Sequence, residues 1–567
     1  MEVWRINLRE MKFTKQPIPA TWEKLGGRGL IARILVDEVD STCYALGSKN
    51  KLIFAPGLLT GHMLSSCDRI SVGGKSPLTG GVKEANAGGT TGLKMMQLGI
   101  KALILENQPE DNNSLWVLVV NKEGVRFESA YEMLGMGVYE ASSRLLDKYG
   151  EKVGLALIGK GGEMQLASAG IQNLDKDQMP TRIAARGGLG AVMGSKGVKA
   201  IIFDASGCSK PQILDEDAYR KAQKEYTQAL MAHPQTKIYA DFGTNAMPSL
   251  SHPLGGMPTR NFSAGQFESI ETIDGDYMRE LLIKRGGESQ TTHACMPGCT
   301  IRCSNIYGGE DGKTIVAPLE YETVGLMGSN LGISDLDMIA RLNYIVNDLG
   351  IDSIEIGAAL GIAAEAGWLE FGDSSRAIQL LEEIRLGTPL GRVLGNGAVI
   401  TGKVFGVEHV PAVKGQAMSA YDPRAIKGTG VTYATSPQGA DHTAGLTIRA
   451  KVDHLDPSQQ AEVSRKAQIN MAGYDTLGAC IFAGFGFGSS MSTIREMLNA
   501  RYGWQVGEDI LQVLGLETIK LEREFNRRAG FSSADDRIPE WMLREPLPPN
   551  NGIFDVPDKD LDKIFDE

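Results

Sequence analysis

The chain has 567 residues, 42 % hydrophobic and 22 % charged, ordinary values for a globular protein and enough for two to four domains with a sizeable core. A net charge of −11, from 58 Lys and Arg against 69 Asp and Glu, argues against the basic face that nucleic acids require, and no nucleic-acid motif is present. No apolar run approaches the ~18 residues of a membrane span, and the start MEVWRINLREMKF lacks a leader pattern, so a cytoplasmic chain with no membrane role is expected.

From Met1 to about Ser206, short β-type runs (KLIFAPGLL, KALILEN, LWVLVV, KAIIFDA) alternate with glycine-rich turns and show little helical period, which predicts one β-rich domain over 1–206. Glycine is frequent, 69 of 567 or about 12 % against a usual ~7 %, and sits beside apolar runs, as in a backbone that closes around a ligand. No internal repeat is visible. From Lys210 the pattern turns helical in EDAYRKAQKEYTQALMAH, SDLDMIARLNYIVNDLG and SSRAIQLLEEIRLG, with Ser or Asp starts and Gly stops, giving a mainly helical domain over 207–412. A break near Val410 to Gly415 opens a third domain, 413–567, on the irregular stretch AMSAYDPRAIKGTGVTYATSPQGADHTAG, the kind of long segment that carries function. The Pro-rich, acidic end LREPLPPNNGIFDVPDKDLDKIFDE reads as a surface wrap.

GLGAVMGSK, Gly188 to Lys196, imitates a phosphate-binding P-loop but places Ser195 before Lys196, the wrong order for lysine to reach phosphate and hydroxyl to reach metal. No clean GxGxxG opens a helix after a strand. Arg182 and Arg186, in TRIAARGGLG, instead present two guanidinium forks beside Gly187, Gly188 and Gly190, an arrangement suited to an anionic cofactor; solvated surface arginines are the plainer alternative. Arg69 in SSCDRISV and Asn86 in EANAGG have the same character.

Cys295, Cys299 and Cys303 follow one another with three residues between each, and Cys480 lies far downstream. Three soft ligands from one loop and a fourth from elsewhere suit a 4Fe-4S cluster; a structural zinc or simple reduced thiols are the alternatives, and radical-SAM spacing, three then two, is not met. The odd total of seven cysteines fits reducing conditions, with Cys43, Cys67 and Cys208 expected as buried reduced thiols.

LGGRGL (25–30), GLLTG (57–61), KSPLTGG (75–81), ANAGG (85–89), RIAARGGLGAVMGSKGVKAI (182–201), EYET (320–323), DLGIDSI (348–354), YDPR (421–424), DTLGAC (475–480) and FNRRAG (525–530) together resemble the aldehyde:ferredoxin oxidoreductase family, nearly end to end. The resemblance implies an α+β fold, with a β-rich base under a tungsten or molybdenum bis-pterin and two mainly helical domains closing over it. It implies a 4Fe-4S cluster on Cys295, Cys299, Cys303 and Cys480. Cofactor contacts would come from Arg69, Asn86, Gly88, Arg182, Ile183, Ala185 and Arg186 in the base. The loop Asn347 to Asp352 would add Asn347, Ile351 and Asp352, and the loop Asp475 to Cys480 would add Asp475 and Ala479, with Ile481 just beyond. A Mg2+ bridging the pterin phosphates would meet backbone carbonyls near Asn86 and Ile183.

For the chemistry the resemblance implies Glu322 as proton acceptor and His442 as hydrogen-bond donor in the oxidation of an aldehyde, with electrons passing through the cluster to ferredoxin or an iron-sulfur subunit. An anaerobic way of life would fit such a centre. Departures from the family pattern are specific. The first two cysteines stand one residue further apart than usual, which makes His293 a conceivable substitute ligand. Gln438 and Ala444 replace basic residues, and Arg341 stands where some dimeric members place a metal-binding glutamate, leaving a homodimer possible without that bridge. The alternatives are a catalytic subunit of a low-potential reductase for acids or aromatic thioesters, and a non-catalytic iron-sulfur carrier.

Overall fold

The computed structural model describes residues 1–111 and 114–566. Strands β1 (Glu2–Asn7), β2 (Lys12–Gln16), β3 (Leu52–Pro56), β4 (Ile70–Lys75), β5 (Val82–Ala87) and β6 (Ile100–Glu106) form one sheet in the order β2-β1-β6-β3-β4-β5. Only the β1–β6 pair is parallel. Period-two alternation gives the sheet two apolar faces. Val3, Ile53, Ala55, Ala102 and Ile104 pack under helix α1 (Gly27–Glu38), while Trp4, Ile6, Leu52, Phe54, Leu103 and Leu105 face the opposite way.

A second six-stranded sheet is built from β7 (Trp116–Asn121), β8 (Gly124–Ser129), β9 (Gly154–Leu157), β10 (Ile171–Asn173), β11 (Arg182–Ala184) and β12 (Val198–Phe203), in the order β8-β7-β12-β9-β10-β11. Its one parallel pair is β7–β12, the counterpart of β1–β6. Leu118, Val120, Ala156, Ile201 and Phe203 meet the inner face of the first sheet in a shared core, and Val117, Val119, Leu155, Leu157 and Ile202 pack beneath helix α2 (Val138–Tyr149).

The two sheets therefore have the same topology, and the absence of a repeat read from the sequence is corrected. The trace is short: Gly99-Ile100-Lys101-Ala102 opens β6 as Gly197-Val198-Lys199-Ala200 opens β12. Loops of unequal length separate the remaining equivalents, so no fixed period survives. Both lysines are buried, and each caps the loop leading into the helix on its sheet: Lys101 Nζ donates to Glu23 O at 3.0 Å and Lys199 Nζ to Met136 O at 3.0 Å.

Residues 1–206 also contain more helix than their sequence suggested. α1 is buried almost all round, between its sheet and the helix Ile510–Arg528, so it shows no amphipathic stripe. Beyond the double sheet the chain is mainly helical, as expected. Glu216–Ala232, Leu336–Leu349 and Ser374–Leu386 are N-capped by Asp215, Asp335 and Asp373, and the last two stop at Gly350 and Gly387, both left-handed. A two-strand hairpin, Ala412–Val413 with Gln416–Ala417, occupies the predicted break at 410–415. The stretch after it is not irregular throughout, because Lys427–Thr435 is a helix buried at every residue, which erases any period. The terminal segment buries Phe554, Val556, Leu561 and Ile564 against the helical core. Among the described residues no helix is long and apolar enough to cross a membrane.

Burial, with Arg501 nearby, pushes the Lys101 ammonium down to about 7. Between that value and ~10.4 the unfolded chain binds more protons than the folded one, so this lysine makes the fold more stable as pH rises through that window. In calorimetry, the Tm of the wild type should gain on that of Lys101→Met from pH 7 to 10; parallel Tm-against-pH curves would contradict this.

Candidate active site

The cysteine loop spans the turn between the antiparallel strands Gln290–His293 and Ser304–Gly308. At its centre Gly298 has φ +78°, and a Cβ there would lie 2.3 Å from Met63 O, so only glycine lets the loop press onto segment 62–66. Ser65 Oγ accepts the Thr300 N–H at 3.0 Å, and Ser66 Oγ lies 3.7 Å from Cys299 Sγ. Cys480 arrives from the other side. Helix Gln460–Leu477 ends in a left-handed Gly478 (φ +79°), and Cys480 N–H then donates to Ser66 O at 2.8 Å. Residues 65–66 thus touch both sources of thiol.

All four thiols, with Glu322 and His442, line a single cavity of about 390 Å3. Arg69, Asn86, Gly88, Arg182, Ile183, Asp475 and Ile481 line it as well. Ala185, Arg186, Asn347, Ile351, Asp352 and Ala479 do not. Asn347 and Ile351 belong to the capping turn at Gly350, with Ile351 N–H on Val346 O, and Ala479 occupies the matching turn at Gly478. Burial pushes the Cys295 thiol up to about 12 and Cys303 and Cys480 upward too, so these groups are neutral thiols until a cation draws off their protons. Among the described residues no group of three or more His, Cys, Asp or Glu side chains is placed to hold a single metal ion. His293 has both ring nitrogens engaged, Nε2 with Asp175 at 2.9 Å and Nδ1 with Gln290 at 3.4 Å, and is not among the lining residues.

Glu322 stands in the first turn of helix Tyr321–Met327. Its Oε2 accepts the Ala420 N–H at 2.8 Å, and its Oε1 lies 3.2 Å from His442 Nε2. His442 opens a short turn capped by Asp441, whose other oxygen is held by the fully buried Lys83 at 2.8 Å. Tyr239, Met247, Leu446, Met471 and Phe482 give the remaining wall an apolar, partly aromatic character.

Beneath the cavity lies a buried ionic network that sequence reasoning missed. Arg28, in the LGGRGL turn, donates twice to Glu522 at 2.8 Å and once to Asp475 at 3.2 Å. Asp475 also accepts from Asn86 Nδ2 at 3.2 Å, and Asn86 is gripped in turn by Arg69 through its side-chain oxygen and its carbonyl. Gln438 closes the ring on Glu522 at 2.7 Å. Burial, then the charge of Asp475, pushes Glu84 up to about 8, and burial raises Asp475 to about 6. No spacing rule reveals such partners, because they lie up to 494 residues apart. Arg186 is equally committed to protein: it reaches Asp352 at 3.2 Å, Ser419 at 3.3 Å and the carbonyls of Ala440 and Ala417 at 2.7 and 2.5 Å. Arg182 differs, facing the cavity with Nε and one terminal nitrogen buried and without a hydrogen bond, its carboxylate neighbours Asp175 and Glu320 standing 3.8 and 3.9 Å away. Such donors are costly unless an anion meets them.

A four-thiol pocket beside a carboxylate–imidazole pair, roofed by helices over a double-sheet base, is the arrangement of a metal-dependent oxidoreductase. The chain belongs to the aldehyde ferredoxin oxidoreductase family: its N-terminal domain model matches residues 3–205, and its model for domains 2 and 3 matches 221–567. The tungsten-containing aldehyde ferredoxin oxidoreductase of Pyrococcus horikoshii is 30 % identical over 97 % of this chain and 93 % of its own length. That of Thermococcus kodakarensis is 31 % identical over 97 % and 92 %. Among solved structures, the BamBC active-site complex of a benzoyl coenzyme A reductase, solved with 1,5-dienoyl-CoA, shares the fold at a TM-score of 0.79, with 18 % identity over 95 % of this chain and 90 % of that one.

Removing one member of a buried ionic network leaves the others uncompensated, at about 3–5 kcal/mol. Arg28→Met should therefore lower the thermal midpoint by several degrees, and an unchanged midpoint would show that the network contributes nothing.

Proposed function

We propose that the chain oxidises aldehydes to carboxylic acids at a tungsten (or molybdenum) bis-pterin centre, with a 4Fe-4S cluster on Cys295, Cys299, Cys303 and Cys480 and with ferredoxin or an iron-sulfur subunit as electron acceptor. The observation that carries this reading is the single cavity shared by four thiols and the Glu322–His442 pair. The donor set suits the two groups. The thiols are the soft ligands iron requires, and a Cβ at Gly88 would stand 2.9 Å from Cys295 Sγ, so the glycine leaves that sulfur its room. The Arg182 nitrogens that make no hydrogen bond, with Arg69, Asn86 and Asp475, offer anion contacts and amide partners to pterins. Asn86 and Ile183 carbonyls are the candidate Mg2+ ligands, while Arg186, Asp352, Asn347, Ile351 and Ala479 would act by shaping the two capping turns.

When bound, the metal centre would supply Lewis acidity and accept two electrons, which the cluster would release one at a time. The balance is RCHO + H2O → RCOOH + 2 H+ + 2 e−. Glu322 takes a proton from the attacking water through Oε1, which gives up its 3.2 Å contact with His442 Nε2 to the substrate, while Oε2 stays on the Ala420 N–H. His442 Nε2, 3.2 Å from that carboxylate, hydrogen-bonds the carbonyl oxygen. The apolar wall of Tyr239, Met247, Leu446 and Phe482 receives the aldehyde's side group and limits water. A catalytic pair in the thiol cavity favours this over a non-catalytic carrier.

Glu322→Gln should retain metal content and lose at least about 100-fold in kcat with benzaldehyde under anaerobic dye reduction, the usual scale for a general base. Undiminished turnover would remove Glu322 from the reaction.

A further inference from the structure

His442 rests on a third side chain that no sequence feature marks. Ser419 is fully buried just before Tyr421, with its Oγ 2.8 Å from His442 Nδ1 and 3.3 Å from an Arg186 terminal nitrogen. Arginine offers only donors, so Ser419 Oγ accepts at that contact. The buried Tyr433 hydroxyl, which makes no hydrogen bond of its own, lies near the same oxygen. No carbonyl or carboxylate competes for the Ser419 hydroxyl proton among the described hydrogen bonds, and His442 Nδ1, at 2.8 Å, is the acceptor closest to it.

The opposite side of the ring agrees. Nε2 faces Glu322, a carboxylate that can only accept, at 3.2 Å. A proton on Nδ1 would find Asp441 Oδ1 3.9 Å away and already taking the Thr443 N–H and hydroxyl, with Oδ2 on Lys83, so its one acceptor would be Ser419 Oγ, which already accepts from Arg186. An imidazolium would require the Ser419 hydroxyl to turn its proton away and accept from both neighbours. The charged and titratable groups facing the ring are thus Glu322, Asp441 with Lys83 behind it, Arg186 acting through Ser419, and Tyr421, whose ring lies 5.7 Å away.

We propose that Ser419 is a positioning residue that fixes His442 as the neutral Nε2–H tautomer, so that a directed imidazole N–H, and not a basic nitrogen, faces Glu322 and the aldehyde oxygen. Tautomer choice by the partner of the second ring nitrogen is general to histidine. His442 then serves as a donor throughout, and proton removal falls to Glu322 alone. The inference rests on the proposed aldehyde oxidation for its kinetic readout only.

In holoenzyme carrying 15N-labelled histidine, with His442→Gln to assign the resonance, the wild type should show Nδ1 unprotonated and Nε2 protonated near pH 7.5, a pH of about 1 above ordinary histidine titration. Ser419→Ala should abolish that preference. With benzaldehyde, Ser419→Ala should lower kcat about tenfold, the scale of one directed hydrogen bond, leave KM within about twofold, and alter the pH profile; Ser419→Thr should restore most of the rate. A protonated Nδ1 in the wild type, or Ser419→Ala with wild-type kcat and pH profile, would overturn the proposal. If the wild type oxidised no aldehyde at all, the reading of the reaction would fall while the spectrum still decided the tautomer.

Discussion

The contact on which the site depends is main chain against main chain, where Gly57 meets Gly478. A Cβ on Gly57 would lie 2.0 Å from Gly478 N, and the close approach lets Leu58, Leu59 and Arg69 donate their N–H groups to Thr476, Leu477 and Gly478 carbonyls at 2.9–3.2 Å. That short ladder fastens the end of a C-terminal helix to the double sheet. It fixes Asp475 before the turn and Cys480 after it, and it carries Arg69 on the same strap. Residues 65–66 of that strap receive the cysteine loop, so three distant segments converge through one seam.

Around this seam the protein uses buried charge to set direction. Arg28 ties Asp475 to Glu522, Lys83 holds the Asp441 that caps the His442 turn, and Arg186 braces Asp352 against the strand and loop on either side of Ser419. Buried ion pairs of this kind contribute little net stability over a well-packed apolar set, because desolvation offsets attraction. Their effect is geometric: each fork admits one orientation of its carboxylate. The two capping turns, at Gly350 and Gly478, are thereby held by different arginines within one repeated architecture.

Much of this was legible in sequence. Caps at Asp215, Asp335 and Asp373, the β-rich first part and the helical remainder follow from local pattern, the four cysteines follow from residue type and spacing, and the turns at Asn347–Asp352 and Asp475–Cys480 follow from the family resemblance. What escaped was whatever depends on burial from several sides. The helix Lys427–Thr435 carries no stripe because it has no solvent face, and α1 carries little because only its last turns reach solvent. The doubling of the sheet hides behind loops of unequal length. Arg186 reads as a phosphate fork in TRIAARGGLG and is braced by Asp352 and the Ala440 carbonyl, partners the sequence does not announce, whereas its neighbour Arg182 leaves two buried nitrogens without a hydrogen bond. Ser419, one serine in a glycine-rich stretch, has no signature at all, since its importance lies in which two groups fold against it.

The central claim is that the four-thiol cavity holds a cluster beside a heavy-metal pterin centre. Metal analysis of the anaerobically purified chain, joined to EPR of the reduced protein, tests it most directly. The account predicts about four iron atoms and one tungsten or molybdenum per chain, with a reduced-cluster signal that Cys480→Ala diminishes. Zinc in the preparation, with no iron, tungsten or molybdenum and no cluster signal, would contradict it.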